Sequence, residues 1–340
     1  MIVEERLLAP AKVNLYLRIV GRRPDGYHLV DSLIAPINLC DTICVRVDPT
    51  TPETTILVTS DSKAAPGGQQ NLAYRAAQLF LTHMRRAAAV DVTISKRIPV
   101  GGGLGGGSSD AAAVLLALNR LLGLRLGRSE LAQIGGTLGA DVAFFVYGLP
   151  AHVRGVGDQV LAVSLPAVPP LVVCWDRYLL STKLVYSRVM LSLTRQPVTS
   201  NITTFVSSGK PNPEMLVNDL EEPAAQIHPE VLSLKSRLIA EGASGALMTG
   251  SGAAVFGMWT DMRSAQRAAT RLRRSGLWAE AVRVLAASPA ARGGVRERGR
   301  SICEGRARGL SAGPGPMGGL PQEHRVHGPR PLPEADYQLQ

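Results

Sequence analysis

Aromatic residues are scarce in this chain: Phe, Trp and Tyr make up 4% of its 340 positions. A core of this composition must be packed from Leu, Val and Ala. Cysteine is scarcer still. Cys40, Cys44, Cys174 and Cys303 form no Cys-x-x-Cys pair and have no histidine at zinc spacing, which excludes the common zinc modules. All four are expected as buried, reduced thiols of a cytoplasmic protein. Long apolar runs are missing too. The longest, Val160 to Trp175, is broken by Pro166, Pro169 and Pro170 and is too short to span a bilayer. The N-terminus carries Glu4 and Glu5 and no apolar signal region, so neither a membrane protein nor a processed leader is expected.

What is present is a chain long enough for two domains, with 45% hydrophobic residues to fill their cores. The net charge of +10 fits a nucleic-acid binder, a membrane-surface protein or an enzyme of phosphate-bearing substrates. Charge alone does not choose among these. From Pro289 onward there are eight Arg against five acidic residues, in a Gly/Pro-rich stretch with little apolar periodicity. Residues 288–340 are therefore expected as a disordered basic tail.

Lys12 to Ile19 alternates polar and apolar residues, the pattern of a half-buried strand with Lys12 and Asn14 on its polar face. Arg23-Pro24-Asp25-Gly26 reads as a turn, followed by more strand up to Val47. Helical spacing marks 71–86, 129–138, 214–221, 229–240 and 261–274; strands are expected at 90–95, up to Trp259 and up to Leu285. Alternation on this scale predicts an α+β architecture. The prolines at 166–170 mark a hinge between domains at 1–160 and 165–287.

The most informative stretch lies between the strand at 90–95 and a helix running to about Gly123. It reads Pro99, Val100, Gly101, Gly102, Gly103, Leu104, Gly105, Gly106, Gly107, Ser108 and Ser109. A backbone free of Cβ atoms can turn a row of N–H groups toward phosphate oxygens, and the helix N-terminus adds unpaired donors and the positive end of its dipole. Ser108 and Ser109 can cap that helix or reach a phosphate or metal. No Gly-Lys-Ser/Thr closes the loop, so it is not a Walker A motif, and it fits the Rossmann fingerprint poorly.

This loop resembles the ATP-binding loop of the GHMP kinases, and its triple-glycine form that of the diphosphocytidyl-methylerythritol kinases among them. Four further stretches agree with that family in order: residues 10–17, 21–28, 137–142 and 248–253. Gly155-Val156-Gly157 and Asn218 to Glu221 are weaker matches. The resemblance covers roughly residues 6–286. It implies a two-domain GHMP kinase fold, with an N-terminal α/β sandwich carrying the glycine-rich ATP loop and a C-terminal ferredoxin-like α+β domain. It implies ATP and Mg²⁺, with the metal ligands unassigned, and a small-molecule cytidine diphosphate substrate phosphorylated on the 2-hydroxyl of its methylerythritol unit. By position, Asp141 is implied as the base, Lys12 as the cation beside the moving phosphoryl group, and Asn14 as a positioning group. Tyr27, His28 and Tyr186 are implied around the cytosine, Tyr186 by a loose alignment.

Two other readings stand against this one. A homoserine- or mevalonate-type GHMP kinase would have no evident use for the Tyr27-His28 pair. A non-catalytic nucleotide- or RNA-binding protein would have no need of a base beside a lysine.

Overall fold

The computed structural model describes residues 1–165, 167–190 and 215–293, together with the backbone of 295–297. It opens with a long hairpin, β1 (Val3–Arg22) and β2 (His28–Asp48), paired antiparallel from Val3↔Val47 to Arg22↔His28. The expected turn joins them: the Gly26 amide donates to the Arg23 carbonyl at 3.0 Å, with Gly26 at φ +91°, where a side chain would be strained. Next come β3 (Thr55–Ser60), α1 (Leu72–His83) and β4 (Ala89–Ser95), with β3 and β4 parallel. Asn71 starts α1 by accepting from the Ala73 amide at 2.9 Å. Then follow α2 (Gly106–Leu121), α3 (Arg128–Gly136), α4 (Ala140–Tyr147), β5 (Ala151–Gly155) and β6 (Gln159–Ala162). The main path of this sheet runs β3-β4-β2-β1, and β5 also pairs with β2.

The second unit holds β7 (Leu171–Trp175), α5 (Thr182–Ser187), β8 (Val217–Asn218), α6 (Glu221–Ala225), α7 (Glu230–Ala240), β9 (Gly245–Met248), β10 (Val255–Met258), α8 (Met262–Arg274) and β11 (Trp278–Val282). Its own sheet has the order β11-β7-β10-β9, all antiparallel, with helices between β7 and β9 and between β10 and β11. That is the ferredoxin-like arrangement. The chain then returns to the first unit through α9 (Pro289–Arg292) and β12 (Val295–Glu297), which pairs with Glu4–Arg6 of β1. Among the described residues no helix is long and apolar enough to cross a membrane.

Small side chains make the first core possible with so few rings. Ala73, Ala76 and Ala77 of α1 and Ala111, Ala112, Ala113 and Ala117 of α2 are all buried, and these two helices pack together beside Phe80, Phe144 and Phe145. A buried Phe of this kind is worth about 3–5 kcal/mol over alanine.

Several expectations need correction. β1 is not half-buried: it is covered on both faces from Ala9 to Leu17, because α2 packs against one side while the second unit's core reaches the other. The glycine run does not end before the helix. Gly105 is the N-cap of α2, so Gly106 to Ser109 form its first turn and the serines do not cap it. Asp141 lies inside a helix, α4, whose unbroken apolar text hid any period. The helix expected at 214–221 starts only at its last residue, Glu221, and Val217–Asn218 instead pairs with β1; Glu214 lies outside the described residues. Residues 289–292 and 295–297 are helix and strand, not tail: the Ser288 amide donates to the Gly148 carbonyl at 2.6 Å, and Arg120 and Arg128 donate to the Ala290 and Ala291 carbonyls. The rest of the expected tail, 298–340, lies outside the described residues. Cys40 and Cys174 are free and buried, but Cys44 is disulfide-bonded, contrary to the expectation of four reduced thiols. Pairing depends on proximity in space, which cysteine spacing does not encode.

Candidate active site

Two glycine loops meet at Lys12. The first, 101–105, is pinned to β1 by the Lys12 amide donating to the Leu104 carbonyl at 3.0 Å. The second, 249–252, is held by Asn218, whose Nδ2 donates to the Met248 and Gly250 carbonyls, each at 2.8 Å. The Asn14 amide donates to Thr249 Oγ1 at 2.9 Å and ties this loop to β1 as well. Backbone lies against backbone here. A Cβ on Gly103 would stand 2.6 Å from the Gly252 carbonyl oxygen.

Lys12 runs through the junction. Its Cγ would lie 3.2 Å from a Cβ on Gly105, and its Nζ 3.0 Å from a Cβ on Gly250. Both glycines are left-handed, at φ +72° and +59°. Lys12 is 5% exposed, and its Nζ donates to Asn14 Oδ1 at 2.7 Å. Asp141 Oδ2 stands 3.9 Å from the same Nζ, an ion pair too long for a direct hydrogen bond. The Asp141 side chain is 37% exposed, in the first turn of a helix whose following residues, Val142 to Val146, are buried. The buried helix anchors the carboxylate while leaving its oxygens open.

The aromatic residues come next to this pair. His28 and Tyr186 have ring centroids 5.4 Å apart, tilted by 43°. Burial, and then the Asp141 carboxylate, push the Tyr186 phenol up to about 12. Tyr186 is thus within electrostatic reach of Asp141 and in ring contact with His28, although its sequence alignment was loose. Burial, then the Arg22 guanidinium, lower the pKa of His28 and favour its neutral form. Tyr27 differs: it is 45% exposed at the tip of the turn, and its amide donates to Asp25 Oδ1 at 3.3 Å.

At the far end of the glycine loop, Pro99 and Val100 are half-buried where the turn begins, and Leu179 covers the exposed Gly101. Ser108 is half-buried in the first turn of α2, and the fully buried Ser109 Oγ has no partner among the described residues. Below them Lys96 Nζ bridges Asp41 (2.5 Å) and Asp110 (2.9 Å), and Asp41 Oδ1 also accepts from the Arg97 and Ile98 amides. Burial, with the neighbouring Asp41 adding to it against the opposing pull of Lys96, holds the Asp110 carboxyl up at about 8.

Sequence reasoning missed Ser32, Thr249, Asn218 and the Lys96 cluster as parts of this arrangement. Thr249 and Asn218 lay in recognised stretches but had no local feature to distinguish them. Ser32 sits in an ordinary strand pattern and becomes special only through its partner across the sheet.

The fold and the paired glycine loops define the class. A profile described as "GHMP kinases N terminal domain" matches residues 71–149, and one described as "GHMP kinases C terminal" matches 202–276. A homoserine kinase from Cytophaga hutchinsonii shares the fold, with a TM-score of 0.64 at 19% identity over 85% of this chain and 96% of its own. Within that class the likeness is much stronger to one group. The chain is 42% identical over 274 residues to the 4-diphosphocytidyl-2-C-methyl-D-erythritol kinase of Geobacter metallireducens, covering 80% of this chain and 95% of that one. A crystal structure of a 4-(cytidine 5'-diphospho)-2C-methyl-D-erythritol kinase matches with a TM-score of 0.69 and 40% identity, covering 82% of this chain and 99% of its own. The chain belongs to the 4-diphosphocytidyl-2-C-methyl-D-erythritol kinase family of GHMP kinases.

Proposed function

We propose that this protein transfers the γ-phosphoryl group of ATP to the 2-hydroxyl of 4-diphosphocytidyl-2-C-methyl-D-erythritol, giving the 2-phosphate and ADP in the non-mevalonate route to isoprenoids. One observation carries the reading: a buried lysine and an open carboxylate 3.9 Å apart, at the junction of two glycine loops, beside a His–Tyr ring pair. The substrate's phosphates also account for a chain of net charge +10 without invoking nucleic acid.

The first glycine loop and the start of α2 bind the nucleotide phosphates through backbone N–H groups and the helix dipole. Asp141 accepts the hydroxyl proton as the substrate oxygen bonds to the γ-phosphorus and the bond from that phosphorus to the β–γ bridging oxygen breaks, releasing ADP. Lys12 balances charge on the transferring group, in a setting too dry for water to replace it. His28 and Tyr186 hold the cytosine by ring contact, with Tyr27 closing over it from the exposed turn.

Among the described residues no cluster of three His, Cys, Asp or Glu side chains could hold a metal. That fits Mg²⁺, which binds chiefly through nucleotide phosphates and water with only one or two protein ligands. The unpartnered Ser109 hydroxyl, with Ser108 beside it, suits that role. When bound, the ion neutralises phosphate charge.

The test is turnover by the purified full chain with ATP, Mg²⁺ and each candidate alcohol. Phosphorylation of the cytidine diphosphate substrate is expected. No product from it, with turnover of homoserine or mevalonate, would replace the substrate assignment.

A further inference from the structure

We infer that Ser32 is a positioning residue for phosphoryl transfer: its hydroxyl sets the amide of Asn14, and through that amide the head of Lys12. The inference rests on the role proposed above for Lys12.

Ser32 is 1% exposed on β2. Its Oγ donates to the Tyr16 carbonyl at 2.7 Å. A hydroxyl has one proton and a carbonyl can only accept, so that proton is committed. Whatever else faces Ser32 must donate, and Asn14 Nδ2 does so at 2.9 Å. At the other end of the same amide, Lys12 Nζ has only protons to give and needs an oxygen, which Asn14 Oδ1 supplies at 2.7 Å. Both ends demand the same orientation. A flipped amide would set NH₂ against the ammonium and an oxygen against a lone pair, in a place where Asn14 is 3% exposed and solvent gives no relief.

The strand register creates this chain of contacts. Asn14 lies opposite Ile34 but Tyr16 lies opposite Leu33, so an irregularity falls between them and Leu15 has no partner of its own. The shift puts the Tyr16 carbonyl and the Asn14 side chain on one hydroxyl. Asp141 is too distant from Lys12 to fix the ammonium by a hydrogen bond, which leaves the Asn14 contact to aim it. Without Ser32 Oγ, nothing here distinguishes the two amide orientations on the side away from Lys12.

The experiment compares Ser32→Ala and Ser32→Thr in the full chain, with Ser32→Cys as a weaker acceptor of similar size should the alanine variant not fold. Ser32→Ala is expected to lower kcat about tenfold or more with KM for ATP nearly unchanged, and Ser32→Thr, which keeps the hydroxyl, to recover most of it. In an Asn14→Ala background, Ser32→Ala should add no more than about a twofold loss. Independently of turnover, the Asn14 side-chain NH₂ protons, identified by their loss in Asn14→Ala, should be resolved and slow to exchange in wild type and Ser32→Thr. In Ser32→Ala they should exchange rapidly. An undiminished kcat, a full additive loss in the Asn14→Ala background, or an unchanged amide pair in Ser32→Ala overturns the inference. If the wild-type chain does not phosphorylate the proposed substrate, the function falls, and the amide protons still decide on Ser32.

Discussion

Replacing Gly103 by alanine tests the meeting of the two glycine loops, with Gly123→Ala as its control. Both positions are left-handed, at φ +73° and +69°, so alanine costs about 1–2 kcal/mol of backbone strain at each. Their surroundings differ. Nothing lies within 4 Å of a Cβ on Gly123, whereas one on Gly103 meets the Gly252 oxygen at 2.6 Å and the Thr249 oxygen at 3.1 Å. The Gly252 contact is about 0.8 Å short of ordinary van der Waals distance, and the obstacle is backbone held by Asn218 and Asn14. The loops must therefore separate by most of an ångström, and a displacement of that order at a reacting centre costs about a hundredfold in rate. Both variants should lose a few degrees of melting temperature, by about 2–4 °C per kcal/mol. Only Gly103→Ala should lose kcat/KM by about a hundredfold. Steady-state kinetics beside thermal unfolding read both quantities. Near-normal kcat/KM in Gly103→Ala, or an equal loss in Gly123→Ala, would refute the reasoning.

Asp141→Asn should lower kcat by about a thousandfold, within the range for a general base, while ATP affinity measured by titration changes little. Asp110 gives a pH signature. Its folded pKa of about 8 lies above the 3.8 of a free aspartate, so the folded state keeps a proton that the unfolded chain releases, and stability falls as pH rises across that window. Urea unfolding at pH 5 and pH 8 should show a smaller pH-dependent loss in Asp110→Asn than in wild type; an equal loss would show that Asp110 is ionised in the fold. A chain ending at residue 287 should melt lower than one ending at 297, since the shorter chain also lacks the carbonyl partners of Arg120 and Arg128.

Much of the site could be read along the chain because its chemistry is local. The glycine run needs no tertiary contact to be noticed, and Lys12 and Asn14 share a face by period two alone. The rest depends on pairing in space. The irregularity beside Leu15 decides what Ser32 touches, and no residue there announces it. The helix holding Asp141 is apolar nearly all round, so it shows none of the periodicity that reveals surface helices. Arginine and glycine after Ser288 suggested tail composition, yet Pro289–Arg292 packs beside β1, α2 and α4.

The return of α9 and β12 to β1 bears on how this protein is made. Their residues leave the ribosome after the whole second unit, yet they complete the first. A nascent chain therefore cannot finish its amino-terminal half before starting the other, as tandem domains do. Until translation passes residue 297, the edge of β1 at Glu4–Arg6 waits for its neighbour.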